Sequence, residues 1–580
     1  MAKENLETLR HTTAHLLAAA VLELYPNTKP TIGPAIERGF YYDFDFGEAT
    51  VGDDDLDTIA KKMAEMLPTW TSMSGESVDE EKAREHFPKN EYKQELIDEI
   101  VAAGDDITLY TAGSFTDLCR GGHAENPSEA IKADAFKLTH VAGAYWRGSE
   151  ANPMLTRIYG TVFPTKKELR TELARLEEAK KRDHKVIGPA LDLFTFSELV
   201  GAGLPLWTPR GTRVRHLLDG FVSSLREKVG FEAVEIPHIT KKELYEKSGH
   251  WEKFQNELFK IITREGHELA IKPMNCPHHT QIFARKQWSY RDLPQRYSNS
   301  TMVYRDEQSG ELAGLVRVRA ITQDDSHVFC RTDQIENEVM QIWDVVDAFY
   351  AGVGFTDLEV RISTHDPENM DTYLGDEETW KKMEASLTNI AAKRGIESPT
   401  IDFGEAAFYG PKVDFITRDS LDREWQVATI QLDMNLPERF DLTCINEEGE
   451  KERIVMIHNA VMGSFERFLA NLIEHTAGDF PIWLAPVQVA LLPVSEAHLE
   501  KTEKMAAVLR GDGVRVEISQ PTESLGKRIR EAELMKIPYM GVVGDKEDDH
   551  HVSVRQRGVK EQREVSLTAL GTEIAEQKPF

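Results

Sequence analysis

The sequence predicts a multidomain protein that combines α+β and α/β domains. Its 580 residues are too many for one hydrophobic core and correspond to roughly three or four domains. A charged helical stretch, residues 163–188, separates a mixed N-terminal segment from the rest of the chain. After Pro481 the pattern changes to short strands that alternate with helices. We therefore predict segments at 1–162, 163–188, 189–481 and 482–580.

The composition excludes several classes of protein. No run of about 18 apolar residues occurs, so we predict no membrane span. The apolar run Ala14–Leu22 follows Glu4 and Glu7 and contains His15, which favours an amphipathic helix over a signal peptide. A net charge of −29 opposes general nucleic-acid binding but permits local basic contacts.

The chain has four cysteines, which are far apart in sequence: Cys119, Cys276, Cys330 and Cys444. This number is too small to staple a chain of this length. We expect reduced thiols in a cytoplasmic protein.

The N-terminal segment holds two pairs of potential ligands or catalytic groups. His11 and His15 are four apart on a predicted helix and therefore share a face. Cys119 and His123 repeat this spacing in a loop after Asp117. Either pair alone is more often structural than functional.

The charged stretch predicts one helix that links two domains. Leu169, Leu173 and Leu176 recur at helical spacing. We expect Pro164 to open this helix and Gly188-Pro189 to close it.

The middle segment contains three short patterns, each weak by itself. They are a strand that ends in proline, Phe231–Pro237; a strand with an arginine, Val303–Glu307; and a turn that enters a helix, Gly463–Phe468. In this order and spacing they resemble the three signature motifs of class II aminoacyl-tRNA synthetases. More specific stretches are KPMNCPHH (272–279), RVRAITQDDSHVFC (317–330), AAFYGPKVDF (406–415), WQVATIQLD (425–433) and MIHNAVMGSFERF (456–468). Together they resemble the threonyl-tRNA synthetase family from near the first residue to near the last.

The resemblance implies a fold and an activity for each segment. It implies an N-terminal α+β editing domain at 1–162, a linker helix at 163–188, a class II catalytic domain with an antiparallel sheet at 189–481, and an α/β anticodon-binding domain at 482–580. The small ubiquitin-like domain that usually precedes editing in bacterial members is expected to be missing. The implied reaction is ATP-dependent ligation of L-threonine to tRNA(Thr) through a threonyl-adenylate, within a homodimer joined at the motif around Pro237.

Adenylation brings a carboxylate against the α-phosphate of ATP, so the site needs fixed cations and Mg²⁺ to bear the charge. By the resemblance, Arg305 holds the α-phosphate and the carboxylate, Glu307 orients the adenine amino group, and Arg467 crosses the adenine. Gln426 and Ser464 fall at ATP-site positions.

By the same resemblance, one zinc ion per chain is held by Cys276, His327 and His458. One thiolate and two imidazoles suit zinc and leave one position open for substrate. A buried free cysteine with two structural histidines is the alternative reading of these residues. Asp325 matches the residue that accepts from the threonine hydroxyl. The other matching pocket residues are Met274, Gln323, Tyr409, Lys412 and Gln431.

One position departs from the family pattern. A glycine and a phenylalanine usually precede TQDD, and the aromatic ring stacks on adenine, whereas this chain has Ala320 and Ile321. We therefore expect weaker stacking on ATP.

Serine differs from threonine by one methyl group, which is worth only about 1–3 kcal/mol, so a second, hydrolytic site is expected. With GPAIERGFYYDF (33–44), the N-terminal pairs resemble the editing domain shared with alanyl-tRNA synthetase. The implied editing residues are His11, His15, Lys93, Asp117, Cys119 and His123. Four such ligands could also bind a metal.

In the last segment, Glu547 and Arg555 match positions that read anticodon bases, and Lys527 and Arg528 are candidate phosphate contacts. Two alternatives stay open: a prolyl or histidyl enzyme of the same subclass, and an inactive paralogue that only binds tRNA.

Overall fold

The structure, a computed structural model, describes residues 2–149, 152–420 and 422–579. The chain divides into two compact units, Met1–Glu177 and Glu178–Phe580. The division falls within the helix Lys166–Arg182, inside the segment predicted as a linker. No helix in the described ranges is long and apolar enough to cross a membrane.

The first unit is built on the helix Ala2–Leu24 and a five-stranded antiparallel sheet. Residues Thr12–Val21 of this helix are buried on every side, so the predicted amphipathic helix is wrong in this stretch. The sheet strands, in spatial order, are Lys29–Pro30, Gly39–Asp45, Met154–Val162 and Phe136–Tyr145, with Ala35–Ile36 paired to Gly39–Asp45. A second sheet contains Ser74–Val78, Ile107–Ala112 and Phe115–Leu118. The remaining helices are Leu56–Met66, Glu80–His86, Glu91–Ala103 and Pro127–Ala130.

The predicted single linker helix is two helices, Lys166–Arg182 and His184–Ala190. Asp183 lies between them with a non-helical backbone (φ −51°, ψ 120°), and its side chain accepts a hydrogen bond from Lys185 N at 2.8 Å. This cap begins a new helix, because an aspartate there satisfies an amide that has no helical partner. Pro189 consequently lies inside the second helix.

An eight-stranded sheet forms the centre of the second unit. Its strands, in spatial order, are Glu232–Ala233, Gln295–Tyr304, Ala320–Cys330, Val455–Ser464, Glu424–Asp433, Lys412–Arg418, Leu358–Thr364 and Thr400–Phe403. The inner pairings are antiparallel, and the two outermost pairings are parallel. The strand predicted at Phe231–Pro237 is confined to Glu232–Ala233.

Helices cover the apolar face of this sheet. Ile335–Val353 is buried between the sheet and Pro209–Lys228, through side chains such as Val346 and Phe349. The other helices of this region are Lys242–Ser248, His250–Lys253, Cys276–Phe283, Glu377–Lys393, Asn435–Arg439 and Phe465–Thr476. Three small sheets contain Phe194–Thr195 and Leu206–Trp207; Ile239–Lys241, Lys260–Ile262 and Glu268–Ile271; and Trp288–Ser289, Thr443–Ile445 and Lys451–Arg453.

The C-terminal segment forms a five-stranded sheet with its own core. The strands, in spatial order, are Val516–Ile518, Val489–Pro493, Tyr539–Val543, His551–Gln556 and Gln562–Ser566. The first three are parallel and the last two are antiparallel. The helices are Leu499–Gly511, Leu525–Leu534 and Leu567–Glu576. The alternation of strands and helices in the sequence therefore corresponds to a mixed α/β domain.

Candidate active site and a second histidine cluster

Strand pairing in the central sheet brings two histidines together. His327 and His458 lie on neighbouring antiparallel strands and are direct cross-strand partners. Cys276 begins the helix Cys276–Phe283 beside them. One donor atom from each of the three residues lies within 4.8 Å of the other two, and all three side chains are buried. The fold thus assembles three potential metal ligands that are distant in sequence.

The tautomer of His458 is fixed by its neighbour Asp433. Nε2 of His458 lies 2.9 Å from Oδ2 of Asp433 and donates to it. Oδ1 of Asp433 accepts the backbone N–H groups of Asn435 and Leu436, at 2.8 and 2.9 Å. Because the carboxylate cannot turn, Nδ1 of His458 keeps its lone pair and faces Nε2 of His327 at 3.0 Å.

The other two residues of this set also have buried histidine neighbours. Nδ1 of His327 lies 2.8 Å from Nδ1 of His279. Sγ of Cys276 lies 3.8 Å from Nε2 of His250, whose Nδ1 contacts Ser248 Oγ. Burial holds the pKa of His327 well below its usual value, so its imidazole is neutral at pH 7. Two imidazoles and one sulfur fit zinc in both donor type and number.

A cavity of about 280 Å³ opens beside these three residues. The predicted pocket residues line it together: Met274, Arg305, Gln323, Asp325, Tyr409, Lys412 and Gln431. Tyr409 donates to Gln431 Oε1 at 2.5 Å, and its ring stacks on His458 with 4.7 Å between centroids. Asn275 donates to Asp325 Oδ2 at 3.1 Å, and burial raises the pKa of Asp325 to about 6.

A second cavity, of about 530 Å³, shares Arg305 and Gln323 with the first. Its lining also includes Glu307, Arg317, Ile321, Ser464 and Arg467. Arg317 donates to Glu307 at 2.8 Å. In the part of the chain that the structure describes, Nε of Arg305 and Oε1 of Gln323 are buried and have no hydrogen-bond partner. Buried polar atoms of this kind usually have a partner, so these two are available to a ligand at the junction.

Gln426 is the predicted ATP-site residue that lines neither cavity. Its amide donates to Asp414 Oδ1 at 2.6 Å, in a separate open cavity that also contains Ser363 and Glu424. Lys412, which lines the first cavity, pairs with the other oxygen of Asp414 at 3.0 Å. Gln426 is therefore linked to the site through Asp414.

The first unit holds a separate cluster. Sγ of Cys119 lies 3.1 Å from Nε2 of His123 and 3.5 Å from Nε2 of His11. His15 completes a set of four donor atoms within 4.8 Å of one another. Burial lowers the pKa of His123 to about 2 and raises the pKa of Cys119 to about 11. The imidazole of His123 and the thiol are therefore neutral at pH 7.

A buried lysine and carboxylate adjoin this cluster. Nζ of Lys93 lies 2.5 Å from Oδ1 of Asp117. The other oxygen of Asp117 accepts from the Tyr42 hydroxyl at 2.5 Å and lies 3.3 Å from Nδ1 of His15. All six predicted residues of this site are thus in one place, and Tyr42 joins them.

Sequence reasoning missed several neighbours of both sites. Tyr42 and Asp433 fall inside stretches that carried the resemblance, GFYYDF and WQVATIQLD, but nothing in the sequence gave them a role. His279 likewise falls inside KPMNCPHH without a role, whereas His250 had no signal, because only packing places it beside Cys276.

One of the candidate tRNA-contact residues in the C-terminal segment does not lie where we predicted. Arg528 is buried, and its guanidinium donates to the backbone carbonyls of Pro493, Ser519 and Glu523. A phosphate contact for Arg528 is therefore wrong, because its donors are already used inside the domain. Glu547 accepts from Gly544 N, and Arg555 pairs with Glu533.

The sheet, the two joined cavities and the comparisons with known proteins define a class II aminoacyl-tRNA synthetase. The tRNA synthetase class II core domain (G, H, P, S and T) matches residues 259–476. The Anticodon binding domain matches 488–577, and the Threonyl and Alanyl tRNA synthetase second additional domain matches 107–159.

Curated relatives give the particular family. The chain is 49% identical over 554 residues to Threonine--tRNA ligase of Porphyromonas gingivalis. This match covers 94% of this chain and 84% of that protein. It is 46% identical over 572 residues to the Phocaeicola vulgatus protein of the same name, with 98% and 88% covered. The chain therefore belongs to the threonyl-tRNA synthetase family.

Solved structures agree with this assignment. The RNA binding domain of threonyl-tRNA synthetase from Cryptosporidium parvum is 36% identical, with a TM-score of 0.65, and covers 68% of this chain and 98% of its own. A protein described as a threonyl-tRNA synthetase from Aeropyrum pernix is 30% identical, with a TM-score of 0.60, and the match covers 68% and 96%. The predicted fold class, enzyme class and activity, threonine–tRNA ligation with an editing-type domain, are confirmed.

Proposed function

We propose that threonine is activated where the two cavities of the second unit meet, and that mischarged Ser-tRNA(Thr) is hydrolysed at the histidine cluster of the first unit. The observation that carries the first assignment is Arg305. It lines both cavities and keeps a buried, unpartnered Nε at their junction. An arginine there can contact the amino-acid carboxylate and the α-phosphate together, which are the two anions that the reaction must join.

The residues that line the larger cavity around Arg305 contribute to adenylate formation in different ways. The larger cavity takes ATP with Mg²⁺, and Arg467 supplies a second fixed positive charge. Arg317 holds the carboxylate of Glu307, which leaves that side chain oriented toward an adenine amino group. Ile321 gives the base an aliphatic contact.

The smaller cavity selects the amino acid. Cys276, His327 and His458 would hold one zinc ion, which when bound supplies a Lewis-acidic contact for the amino and hydroxyl groups of threonine. Asp433 keeps the correct nitrogen of His458 toward that position. Asp325 accepts the substrate hydroxyl, and Asn275 holds its carboxylate in place. Valine is rejected because it lacks the hydroxyl that these polar groups require.

At the second site, His11 and Cys119 orient a water molecule toward the seryl ester. Lys93 and Tyr42 hold Asp117, whose carboxylate recognises the serine. Threonine is excluded because it is larger, which makes this the second half of a double sieve. The four donors of this cluster also suit a metal ion, so zinc analysis must count the ions: one per chain favours a water site, and two favour a metal here.

We further propose a cytoplasmic homodimer joined around the strand Glu232–Ala233 and Pro237. Its anticodon-binding domain, at 482–580, uses Glu547 and Arg555 to read tRNA(Thr). The placement in the cytoplasm is supported by four free cysteines. A fully active monomer in sedimentation at micromolar concentration would exclude the dimer.

Amino-acid-dependent ATP–pyrophosphate exchange tests the whole assignment. A panel containing threonine, serine, valine, proline and histidine should give exchange with threonine and weaker exchange with serine. Exchange with proline or histidine alone would show another specificity, and no exchange at all would show an inactive paralogue. Cys276→Ser should lose bound zinc and threonine-dependent exchange together.

A further inference from the structure

His184 lies outside both cavities and connects separate parts of the second unit. It begins the helix His184–Ala190 and is only 4% exposed. Its Nδ1 lies 2.6 Å from Oε1 of Glu474, and its Nε2 accepts the backbone N–H of Leu315 at 3.0 Å.

These partners fix the tautomer of the ring. Because Nε2 accepts from an amide, it carries the lone pair, and Nδ1 carries the proton that is donated to Glu474. Glu474 also accepts the backbone N–H of His184 at 3.2 Å and pairs with Arg423. The imidazole is therefore held on two sides in one orientation.

Both partners lie on elements that contribute other residues to the lining of the nucleotide cavity. Leu315 directly precedes Val316, Arg317 and Val318, which line that cavity. Glu474 lies on the helix Phe465–Thr476, which carries Arg467. His184 thus joins the loop on one side of the cavity to the helix on the other.

The loop backbone packs directly against the imidazole. A Cβ placed on Gly314 would lie 2.4 Å from Nε2 of His184, and Gly314 has a φ of +52°. Leu315 is fully buried, so its N–H has no access to water if the histidine is lost. Arg182, just before His184, adds an anchor by donating to His475 O and Ser420 Oγ, each at 3.0 Å.

We propose that His184 is a positioning residue for ATP: it sets the loop 314–318 relative to the helix that carries Arg467. The inference rests on the proposed nucleotide role of this cavity. The end of the linker segment thereby becomes part of the frame of the nucleotide site, and changes there alter ATP binding without altering the threonine pocket.

Two substitutions separate the two hydrogen bonds of the ring. In His184→Asn the amide nitrogen can take the place of Nδ1 and still donate to Glu474, but nothing accepts from Leu315. In His184→Gln the amide oxygen can take the place of Nε2 and still accept from Leu315; the side-chain bond to Glu474 is lost, but the backbone N–H of residue 184 still donates to that carboxylate. We expect His184→Asn to raise the KM for ATP about tenfold, which is the size of effect that an unpaired buried N–H produces. The KM for threonine should be unchanged. Because the backbone bond of residue 184 still ties the loop to Glu474, His184→Gln should keep the parent KM for ATP and lower the melting temperature.

The exposed His267, on the turn after Lys260–Ile262, provides the matched control, and its Asn and Gln variants should behave as the parent. Parent KM values for ATP in both His184 variants would overturn the inference, as would parallel shifts for ATP and threonine. If neither variant folds, Gly314→Ala carries the same expectation, because it pushes the loop off an intact ring. A parent KM for ATP in Gly314→Ala would then overturn it.

Arg467→Ala distinguishes failure of this inference from failure of the proposed nucleotide site. A raised KM for ATP in Arg467→Ala together with parent behaviour of His184→Asn overturns the role of His184 alone. Parent ATP binding in Arg467→Ala overturns the cavity assignment and the inference with it.

Discussion

The Asp433 carboxylate lies 2.9 Å from Nε2 of His458 and decides which nitrogen of that ring faces His327. Its other oxygen is held by two backbone amides, so the carboxylate is positioned by the start of the helix Asn435–Arg439. A carboxylate bonded to a ligand histidine fixes the ring and raises its basicity. The metal affinity of the proposed zinc site should therefore depend on a residue that is not itself a proposed ligand.

Asp433→Asn should weaken zinc binding by about 10- to 100-fold, because the neutral amide binds the imidazole N–H less strongly. The KM for threonine should rise while the KM for ATP stays near the parent value. Competition with a chromophoric chelator measures the affinity. Cys276→Ser, which removes a donor, is the reference for complete loss. Unchanged zinc affinity in Asp433→Asn would contradict the proposed ligand set.

Ile321→Phe should lower the KM for ATP and leave the KM for threonine nearly unchanged. Ile321 lines the larger cavity, away from the residues of the smaller one, and an aromatic ring would add stacking on the base. Such stacking contributes roughly 1–3 kcal/mol where it is well formed. Pyrophosphate exchange at varied ATP measures the effect. A shift confined to threonine would place the adenine elsewhere.

Lys272 should make the free energy of unfolding depend on pH in the alkaline range. It is fully buried, its Nζ donates to Thr301 Oγ1 at 2.9 Å, and burial lowers its pKa to about 8. The unfolded chain keeps this proton up to a pKa of about 10.4, so between those values the unfolded state binds more protons and stability rises with pH.

Lys272→Met removes this charge while keeping an unbranched apolar stem. The variant should be more stable than the parent at about pH 7, by up to about 3 kcal/mol, and the difference should shrink toward about pH 10. Unfolding midpoints at the two pH values measure it. A difference that does not change with pH would mean that Lys272 has an ordinary pKa in the folded chain.

The sequence was sufficient where function depends on residue type within a contiguous stretch. The family motifs led to Cys276, His327 and Arg305 directly, and the fold then placed them around one junction. Spacing alone could not join His327 to His458, because strand pairing makes that contact.

Other features depended on packing that periodicity does not encode. The break at Asp183 was missed because a cap inside a charged helical pattern changes no period. Arg528 looked like a surface cation by its sequence neighbours, but three carbonyls in the folded domain take up its guanidinium. His184 gave no signal at all, since its partners lie about 130 and 290 residues away.

The two active sites should be separable by mutation, because they share no residues and lie in different units. The double variant His11→Ala, Cys119→Ala should keep threonine activation, since the second unit is unchanged, yet accumulate Ser-tRNA(Thr). One missing methyl group gives the first site only about 10- to 200-fold discrimination, so mischarging should become measurable once the cluster is disabled. Cys276→Ser is the matched opposite: it should not charge tRNA but should still hydrolyse supplied Ser-tRNA(Thr). Deacylation of preformed Ser-tRNA(Thr) and Thr-tRNA(Thr) by each variant decides the matter. If the His11, Cys119 variant clears Ser-tRNA(Thr) at the parent rate, hydrolysis takes place elsewhere than the cluster where Cys119 lies 3.1 Å from His123.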